Sequence, residues 1–176
     1  MESLITVILV VTLILFAGLN IFQETLDAQN DLATTWQEME DLSGERARTQ
    51  LTPISSTIKN GGATVEVILK NEGSTKLTDF DRWDVFLQYY TDNSTSYEID
   101  WYPYVSAMPG SNQWTNAGIY VDAATALDEA FEPGILNPGE EMVIQVQVVP
   151  SIGMTTTNML TVSTEYGIQA STIITR

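Results

Sequence analysis

The stretch from Leu4 to Phe22 reads LITVILVVTLILFAGLNIF and decides how the chain is organised. No charged residue occurs between Glu2 and Glu24. The only interruptions of its apolar character are Thr6, Thr12, Gly18 and Asn20. About 18 apolar residues are enough to cross a bilayer as a helix. The sequence therefore predicts that the chain resides in a membrane at some stage.

Three interpretations of this segment compete. A secretory signal peptide needs a basic segment before the apolar run and a small-residue cleavage site after it, but the first basic residue is Arg46. An ordinary anchor carries Lys or Arg on its cytoplasmic side, whereas this chain begins Met1-Glu2-Ser3. A processed pilin-type helix loses a basic leader and keeps the apolar run, with Met1 as first mature residue. We favour the third interpretation, with the anchor as its main alternative.

The helix is predicted to continue through QETLDAQNDLATTWQEMEDLSG, which contains no proline. Apolar residues recur mostly at steps of three or four, or sums of these, which indicates one apolar stripe along a helix. The stripe comprises Phe22, Leu26, Ala33, Trp36, Met39 and Leu42, with Leu32 beside it. Because Gly44 is a helix stop, residues 1–44 are predicted to form one helix about 60 Å long, followed by a linker at 45–51.

A helix that is apolar around its whole circumference must be buried in lipid or in protein. Copies of the same helix are the obvious cover outside the membrane, so a homo-oligomeric helical polymer is predicted. The predicted oligomerisation residues are Leu4, Ile5, Val7, Ile8, Val11, Ile14, Leu15, Phe16, Leu19, Phe22, Leu26 and Trp36. The alternative for the amphipathic half is a helix that lies on its own domain.

From Thr52 onward the apolar pattern changes to a period of two, which predicts strands with one buried face. The clearest alternations are Val65-Val67-Leu69, Trp83-Val85-Leu87-Tyr89 and Met142-Ile144-Val146-Val148. Further strands are predicted near residues 97–104, 158–163 and 167–174. Roughly seven short strands predict an antiparallel immunoglobulin-like β-sandwich over residues 52–176, and hence an α+β fold. Residues 109–137 are less regular, and a loop with a short helix is predicted around Ala123–Ala130.

Turn residues separate the predicted strands. The stretches Asn60-Gly61-Gly62, Asn71-Glu72-Gly73 and Asn137-Pro138-Gly139 supply residues that tolerate positive φ or preset a turn. Gly73 is predicted to have a positive φ or to form a tight turn between strands.

Charge and composition exclude several classes of function. The formal net charge of -16 argues against nucleic acid and against anionic lipid surfaces. Cysteine and histidine are both absent, which removes disulfides, the usual zinc sites and histidine-based triads. We therefore predict no enzyme activity, no catalytic or metal site, no cofactor and no small-molecule substrate.

Three surface features could carry chemistry. Acidic residues cluster at Asp79, Asp81 and Asp84, and at Asp128, Glu129 and Glu132, but neither spacing is that of a calcium loop. Asn93 begins the only N-x-S/T sequon and is a possible glycosylation site. Aromatic residues cluster between positions 83 and 114, where they serve core packing or, alternatively, subunit contact or sugar adhesion.

A charge-free helix starting almost at residue 1, followed by a sandwich, resembles archaellins, the archaeal-type flagellins of the wider type IV pilin superfamily. The resemblance covers nearly the whole chain. It extends to the strands of archaellins and of their accessory proteins, in VEVILKNEGSTKLTDFDRWDVFL (65–87), LNPGEEMVIQV (136–146) and STEYGIQAS (163–171). Bacterial type IV pilins carry glutamate at the fifth mature position, where this chain has Ile5, so the archaellin class is favoured.

The resemblance implies a helical extracellular filament with a core of bundled helices and a sheath of sandwiches, rotated by a motor in the membrane. The expected function is thus a structural subunit of an archaellum-type motility filament on the cell surface, with an inner-membrane stage before assembly. One alternative is a non-motile adhesion pilin. The other is a membrane-anchored, stator-like accessory protein of the archaellum machine, whose sandwich binds the cell envelope.

Overall fold

The computed structural model describes residues 2–92, 96–129 and 131–176, and it contains one long helix followed by β-strands. The chain divides into two compact units, Met1–Ser43 and Gly44–Arg176. The elements are α1 (Glu2–Arg48), β1 (Leu51–Lys59), β2 (Thr64–Asn71), β3 (Asp84–Tyr90), β4 (Tyr97–Tyr102), β5 (Gln113–Asp122), β6 (Leu127–Asp128), β7 (Glu141–Gln147), β8 (Thr157–Ser163) and β9 (Gln169–Thr175).

The strands form two antiparallel sheets, with the orders β1-β2-β7-β5-β6 and β4-β3-β8-β9. Their inward side chains build one apolar core. The predicted alternation is confirmed, because the side chains at the predicted inward positions, such as Val67, Leu87 and Ile144, have no exposed surface. The predicted fold class, a long N-terminal helix followed by an antiparallel β-sandwich, is confirmed.

Two strands lie where the sequence pattern is irregular. In β1 the pairing with β2 shifts between Pro53 and Ser55, and in β5 the pairing with β7 shifts between Asn116 and Gly118. Such bulges insert an extra residue and break the alternation of inward and outward side chains. The short helix predicted around Ala123–Ala130 is wrong for the part that the structure describes: residues 123–126 form a turn and β6 follows.

The end of the helix also differs from the predicted one. α1 continues through Gly44 to Arg48, so the predicted linker at 45–51 is mostly helical. The hydroxyl of Thr49 donates to the Glu45 carbonyl at 2.8 Å, which satisfies one of the orphan carbonyls of the last turn. Arg46 and Arg48 place positive charge at the negative end of the helix dipole. These contacts offset the cost of a helical glycine, which is about 1 kcal/mol relative to alanine.

Gly73 is required for a close backbone approach and not for a positive φ, which was the first of its two predicted conformations. Its φ does not lie in the left-handed region. A Cβ at this position would instead meet backbone, with the amide nitrogen of Gln50 2.6 Å away. The 71–75 turn lies against the end of the helix, where the amide of Ser74 donates to the Arg48 carbonyl at 2.8 Å.

Replacing Gly73 by alanine is expected to destabilise the sandwich by about 1–3 kcal/mol, because the added methyl group has to push backbone apart. Urea unfolding followed by tryptophan fluorescence measures the loss, since Trp83 and Trp114 are buried. The matched control is Gly44→Ala, where a Cβ meets nothing within 4 Å; stability should stay unchanged or rise. Equal stabilities for the two variants would contradict the close approach at Gly73.

Candidate functional site: the apolar helix and the sandwich surface

The N-terminal part of α1 presents an exposed apolar surface. The Leu, Ile, Val and Phe side chains from Leu4 to Phe22 are between 49% and 67% exposed. All twelve predicted oligomerisation residues are exposed in this way, including Leu26 and Trp36. The helix is long and apolar enough to cross a membrane. Whether lipid or neighbouring copies cover it stays a prediction.

Two polar side chains inside the apolar run donate hydrogen bonds to their own helix. The Thr12 hydroxyl donates to the Ile8 carbonyl at 2.8 Å, and the Asn20 amide donates to the Phe16 carbonyl at 2.9 Å. An unsatisfied polar group in hydrocarbon costs several kcal/mol. These two bonds lower the cost of placing the Thr12 hydroxyl and one amide hydrogen of Asn20 in lipid.

Beyond Phe22 the helix becomes amphipathic. Leu26, Leu32, Trp36, Met39 and Leu42 are all exposed. Between Glu24 and Glu45 the helix carries seven acidic residues and no basic one. This half of α1 therefore combines an uncovered apolar stripe with strong negative charge.

The last turn of α1 belongs to the same compact unit as the sandwich. Arg46 Nε donates to the Tyr166 carbonyl at 2.6 Å, and the Thr75 hydroxyl donates to Glu45 Oε2 at 3.1 Å. Arg46 and Tyr166 are 120 residues apart in the sequence. No local sequence signal could have indicated this contact.

A pair of carboxyl groups lies beside Tyr166. Burial, together with the negative charge of Asp79, raises the pKa of Glu165 above its ordinary value of 4.5. Hydrogen bonding by Tyr166 and the charge of Arg82 act in the opposite direction on this pKa. Asp79 has a left-handed backbone conformation, with φ of 45°. The protonated form of Glu165 is therefore favoured more in the folded state than in the unfolded chain.

This pKa shift predicts how stability depends on pH. A raised folded-state pKa gives a contribution that is full below about pH 4.5, the unfolded value, and is lost as pH rises through the raised folded value. Relative to Glu165→Gln, the natural chain should therefore lose stability as the pH rises above about 4.5. Urea unfolding at several pH values measures the difference. In an Asp79→Asn background the slope should shrink, and a slope that stays the same would exclude the pair as its cause.

The outer face of the sheet β4-β3-β8-β9 carries exposed aromatic residues. Tyr97, Trp101 and Tyr90 are 50%, 52% and 41% exposed. Tyr97 and Tyr90 form a ring pair with centroids 5.0 Å apart, and Trp101 Nε1 donates to Asp84 Oδ1 at 2.9 Å. The predicted aromatic cluster therefore divides in two. Trp83, Tyr89, Tyr102 and Trp114 are in the core, while Tyr90, Tyr97 and Trp101 face outward.

The acidic clusters seen in the sequence do not form a metal centre of three or more carboxylates within the described ranges. Asp84 accepts from Trp101, Asp79 lies near Glu165, and Glu132 pairs with Lys76 at 2.5 Å. Asn93, the possible glycosylation site, lies outside the described residues.

Comparison with known proteins identifies the sandwich. Residues 49–173 match the family described as conserved flagellar protein F (FlaF), immunoglobulin-like domain. No curated protein sequence matches the chain.

Three solved structures illustrate the similarity in fold. The archaellum periplasmic stator protein FlaG from Sulfolobus acidocaldarius is 18% identical, with a TM-score of 0.51 over 72% of this chain and 99% of that one. The FlaF–FlaG stator complex from the same organism gives the same identity and TM-score, over 72% of this chain and 89% of that one. The archaeal flagellum of Methanospirillum hungatei strain JF1 is 14% identical, with a TM-score of 0.51 over 98% of this chain and 92% of that one.

At these identities the solved structures show a shared fold and no more. The family match carries further, because it spans more than two thirds of the chain and covers β1 to β9 almost completely. The resemblance seen in the sequence is confirmed as far as a flagellar, archaellum-related protein, whereas membership of the archaellins themselves stays a prediction. The chain belongs to the family of conserved flagellar protein F and carries its immunoglobulin-like domain.

Proposed function

We propose that the chain is a membrane-anchored, stator-like accessory protein of the archaellum machine. One observation carries this proposal. An immunoglobulin-like domain of the conserved flagellar protein F family follows an exposed apolar helix that is long enough to cross a membrane. Two of the similar solved structures bear the name archaellum periplasmic stator protein, which supports an accessory role. The proposal replaces the filament subunit as the favoured function.

The helix suits an anchor. The 19 residues of Leu4–Phe22 extend about 28 Å at 1.5 Å per residue, which matches a hydrocarbon core of about 30 Å. The acidic residues that follow are repelled by anionic lipid headgroups. Lipid therefore covers the apolar run, while the acidic half of α1 and the sandwich lie in water.

The role is mechanical rather than catalytic. A stator has to transmit force between the membrane and a fixed structure of the cell envelope, so it needs an anchor and a binding domain but no reaction centre. The anchor is the helix, and the sandwich is the binding domain. No cofactor or substrate is required for this role.

A filament subunit is the second candidate, and one observation favours it. The similarity to the flagellum structure of Methanospirillum hungatei extends over 98% of this chain, helix included. In that case the twelve exposed helix residues would be buried against copies of the same chain. The adhesion pilin is a variant of this candidate, since it requires the same helical core.

Cell fractionation separates the two candidates. Filaments are sheared from cells that produce the chain, and both fractions are probed with an antibody against the sandwich. A stator-like anchor stays with the sheared cells, resists alkaline carbonate and is released by detergent. Its deletion abolishes swimming, which the full chain restores and a chain lacking residues 2–43 does not. Recovery of the chain as the main component of the sheared filaments would refute the proposal in favour of the second candidate.

A further inference from the structure

Two carboxylates on the edge strand β4 point into the sandwich. In the β3–β4 pairing, Tyr89 lies opposite Glu98 and Leu87 lies opposite Asp100. Glu98 and Asp100 alternate with the exposed residues of β4 and are themselves half-buried. The Tyr89 hydroxyl is 3.2 Å from Glu98 Oε2 and 3.3 Å from Asp100 Oδ2. Both carboxylates thus converge on one phenolic oxygen.

The hydroxyl groups of Tyr89 and Tyr102 cannot donate enough hydrogen bonds for the carboxylates of Glu98 and Asp100. A tyrosine hydroxyl carries one proton, so Tyr89 donates to only one carboxylate at a time. The Tyr102 hydroxyl is fully buried and has no hydrogen-bond partner among the described residues. It lies close enough to Tyr89, Asp100 and Glu98 to interact with all three, and burial raises the pKa of both phenols. The cluster therefore contains two neutral hydroxyls, one of them unpaired.

No basic side chain of the protein balances this charge. The chain has seven Lys and Arg residues, and all of them lie in the described ranges. Five are in ion pairs with other carboxylates, a sixth donates to the Tyr166 carbonyl, and the last lies beside Glu165. Arg46 is the residue that donates to the Tyr166 carbonyl, and Arg82 is the one beside Glu165. The five residues in ion pairs are Arg48, Lys59, Lys70, Lys76 and Arg176. None of the seven basic side chains is therefore paired with Glu98 or Asp100.

We infer that Glu98 and Asp100, together with the hydroxyl oxygens of Tyr89 and Tyr102, bind a calcium ion. Calcium accepts carboxylate and neutral oxygen ligands in irregular geometry, with water completing six to eight positions. Magnesium demands near-ideal octahedral geometry and loses its water reluctantly. Zinc favours histidine and cysteine ligands, and this chain has neither residue. The inference does not rest on the proposed function.

The ion would fix the edge of the sandwich. β4 is at one end of its sheet and pairs only with β3. Without a cation, the carboxylates of Glu98 and Asp100 repel each other. A bound calcium ion removes this repulsion and links β4 to the Tyr89 hydroxyl on β3. The outward residues Tyr97, Ile99 and Trp101 are on the same short strand. Calcium is therefore expected to order this exposed aromatic face.

Terbium luminescence tests the site directly, because Tb³⁺ replaces calcium and emits when a nearby tyrosine is excited. The full chain in non-ionic detergent, freed of metal by a chelator, is titrated with Tb³⁺. Saturable Tb³⁺ emission is expected. Calcium should displace the bound Tb³⁺ and remove the emission, whereas magnesium at the same concentration should not. Calcium at 100 times its dissociation constant should also shift the unfolding equilibrium of the sandwich about 100-fold.

Variants decide whether the emission comes from this site. Glu98→Gln/Asp100→Asn should abolish the saturable emission. Glu38→Gln/Glu40→Gln, an exposed pair of equal spacing and charge, should leave it unchanged. Tyr102→Phe should weaken the affinity for Tb³⁺ about fivefold, the effect of one lost contact to an oxygen, while the metal-free protein keeps or gains stability.

Three results would overturn the inference. One is an absence of saturable emission. Another is equal emission from the two double variants, which would show adventitious binding to the acidic surface. The third is an unchanged affinity in Tyr102→Phe, which would mean that its hydroxyl holds a buried water instead. If the Glu98→Gln/Asp100→Asn variant does not fold, Asp100→Asn alone replaces it and should weaken Tb³⁺ binding more than Tyr102→Phe does.

Discussion

Removing residues 2–43 is expected to transfer the protein from the membrane fraction to the soluble fraction, with its sandwich still folded. The segment Leu4–Phe22 contains fourteen Leu, Ile, Val and Phe residues. At roughly 0.3–0.6 kcal/mol each, these residues favour the membrane by about 4–8 kcal/mol. A loss of this size lowers the membrane-bound fraction by roughly a thousandfold or more. Among the residues that the structure describes, the core of the sandwich begins at Leu51.

Carbonate-washed membranes and the supernatant, probed by immunoblot, measure this partition, and the emission of the buried tryptophans reports whether the sandwich is folded. Val11→Asp provides a graded comparison, since a carboxylate near the centre of a membrane helix costs about 2.5–3.5 kcal/mol. Trp36→Asp is the matched control, because position 36 lies beyond the apolar run. A folded deletion variant that still sediments with membranes would show that the sandwich itself binds them.

The period-two pattern was sufficient to predict most of the sandwich. Strands β2, β3 and β7 have strict alternation because one face of each is fully buried, and their inward residues were identified correctly. β1 and β5 were missed because Pro53 and Gly118 accompany bulges that shift the alternation. A one-residue shift moves every following side chain to the other face, so no single period fits these strands.

The candidate sites were harder to predict from the sequence than the strands were. The apolar helix stands out in any hydropathy reading, but what covers it depends on other molecules. Glu98 and Asp100 occupy inward positions of β4, and a polar residue at an inward position is a signal that could have been noticed. The pairing of Glu165 with Asp79, and of Arg46 with Tyr166, depends on contacts between distant parts of the chain. Only the tertiary structure brings these groups together.

Asn71 is another residue whose role the sequence did not reveal, and its replacement by aspartate should destabilise the sandwich strongly. Its side chain is fully buried. The amide nitrogen donates to the carbonyls of Thr75 and Leu136, at 2.8 and 3.0 Å, and the amide oxygen accepts from the Gly73 amide at 3.0 Å. Asn71 thereby joins the turn after β2 to the segment before β7.

In Asn71→Asp a carboxylate oxygen replaces the donor and faces two carbonyl oxygens without a counter-charge. Uncompensated buried charge costs about 3–5 kcal/mol, whereas Asn71→Ala should cost about 2–4 kcal/mol for three lost hydrogen bonds. Urea unfolding of the full chain in detergent measures both. Asn116→Asp is the control, since Asn116 uses only its oxygen, which accepts from Gly118, and aspartate keeps that bond. If Asn71→Asp were no less stable than Asn116→Asp, the amide nitrogen of Asn71 could not be what holds the two segments together.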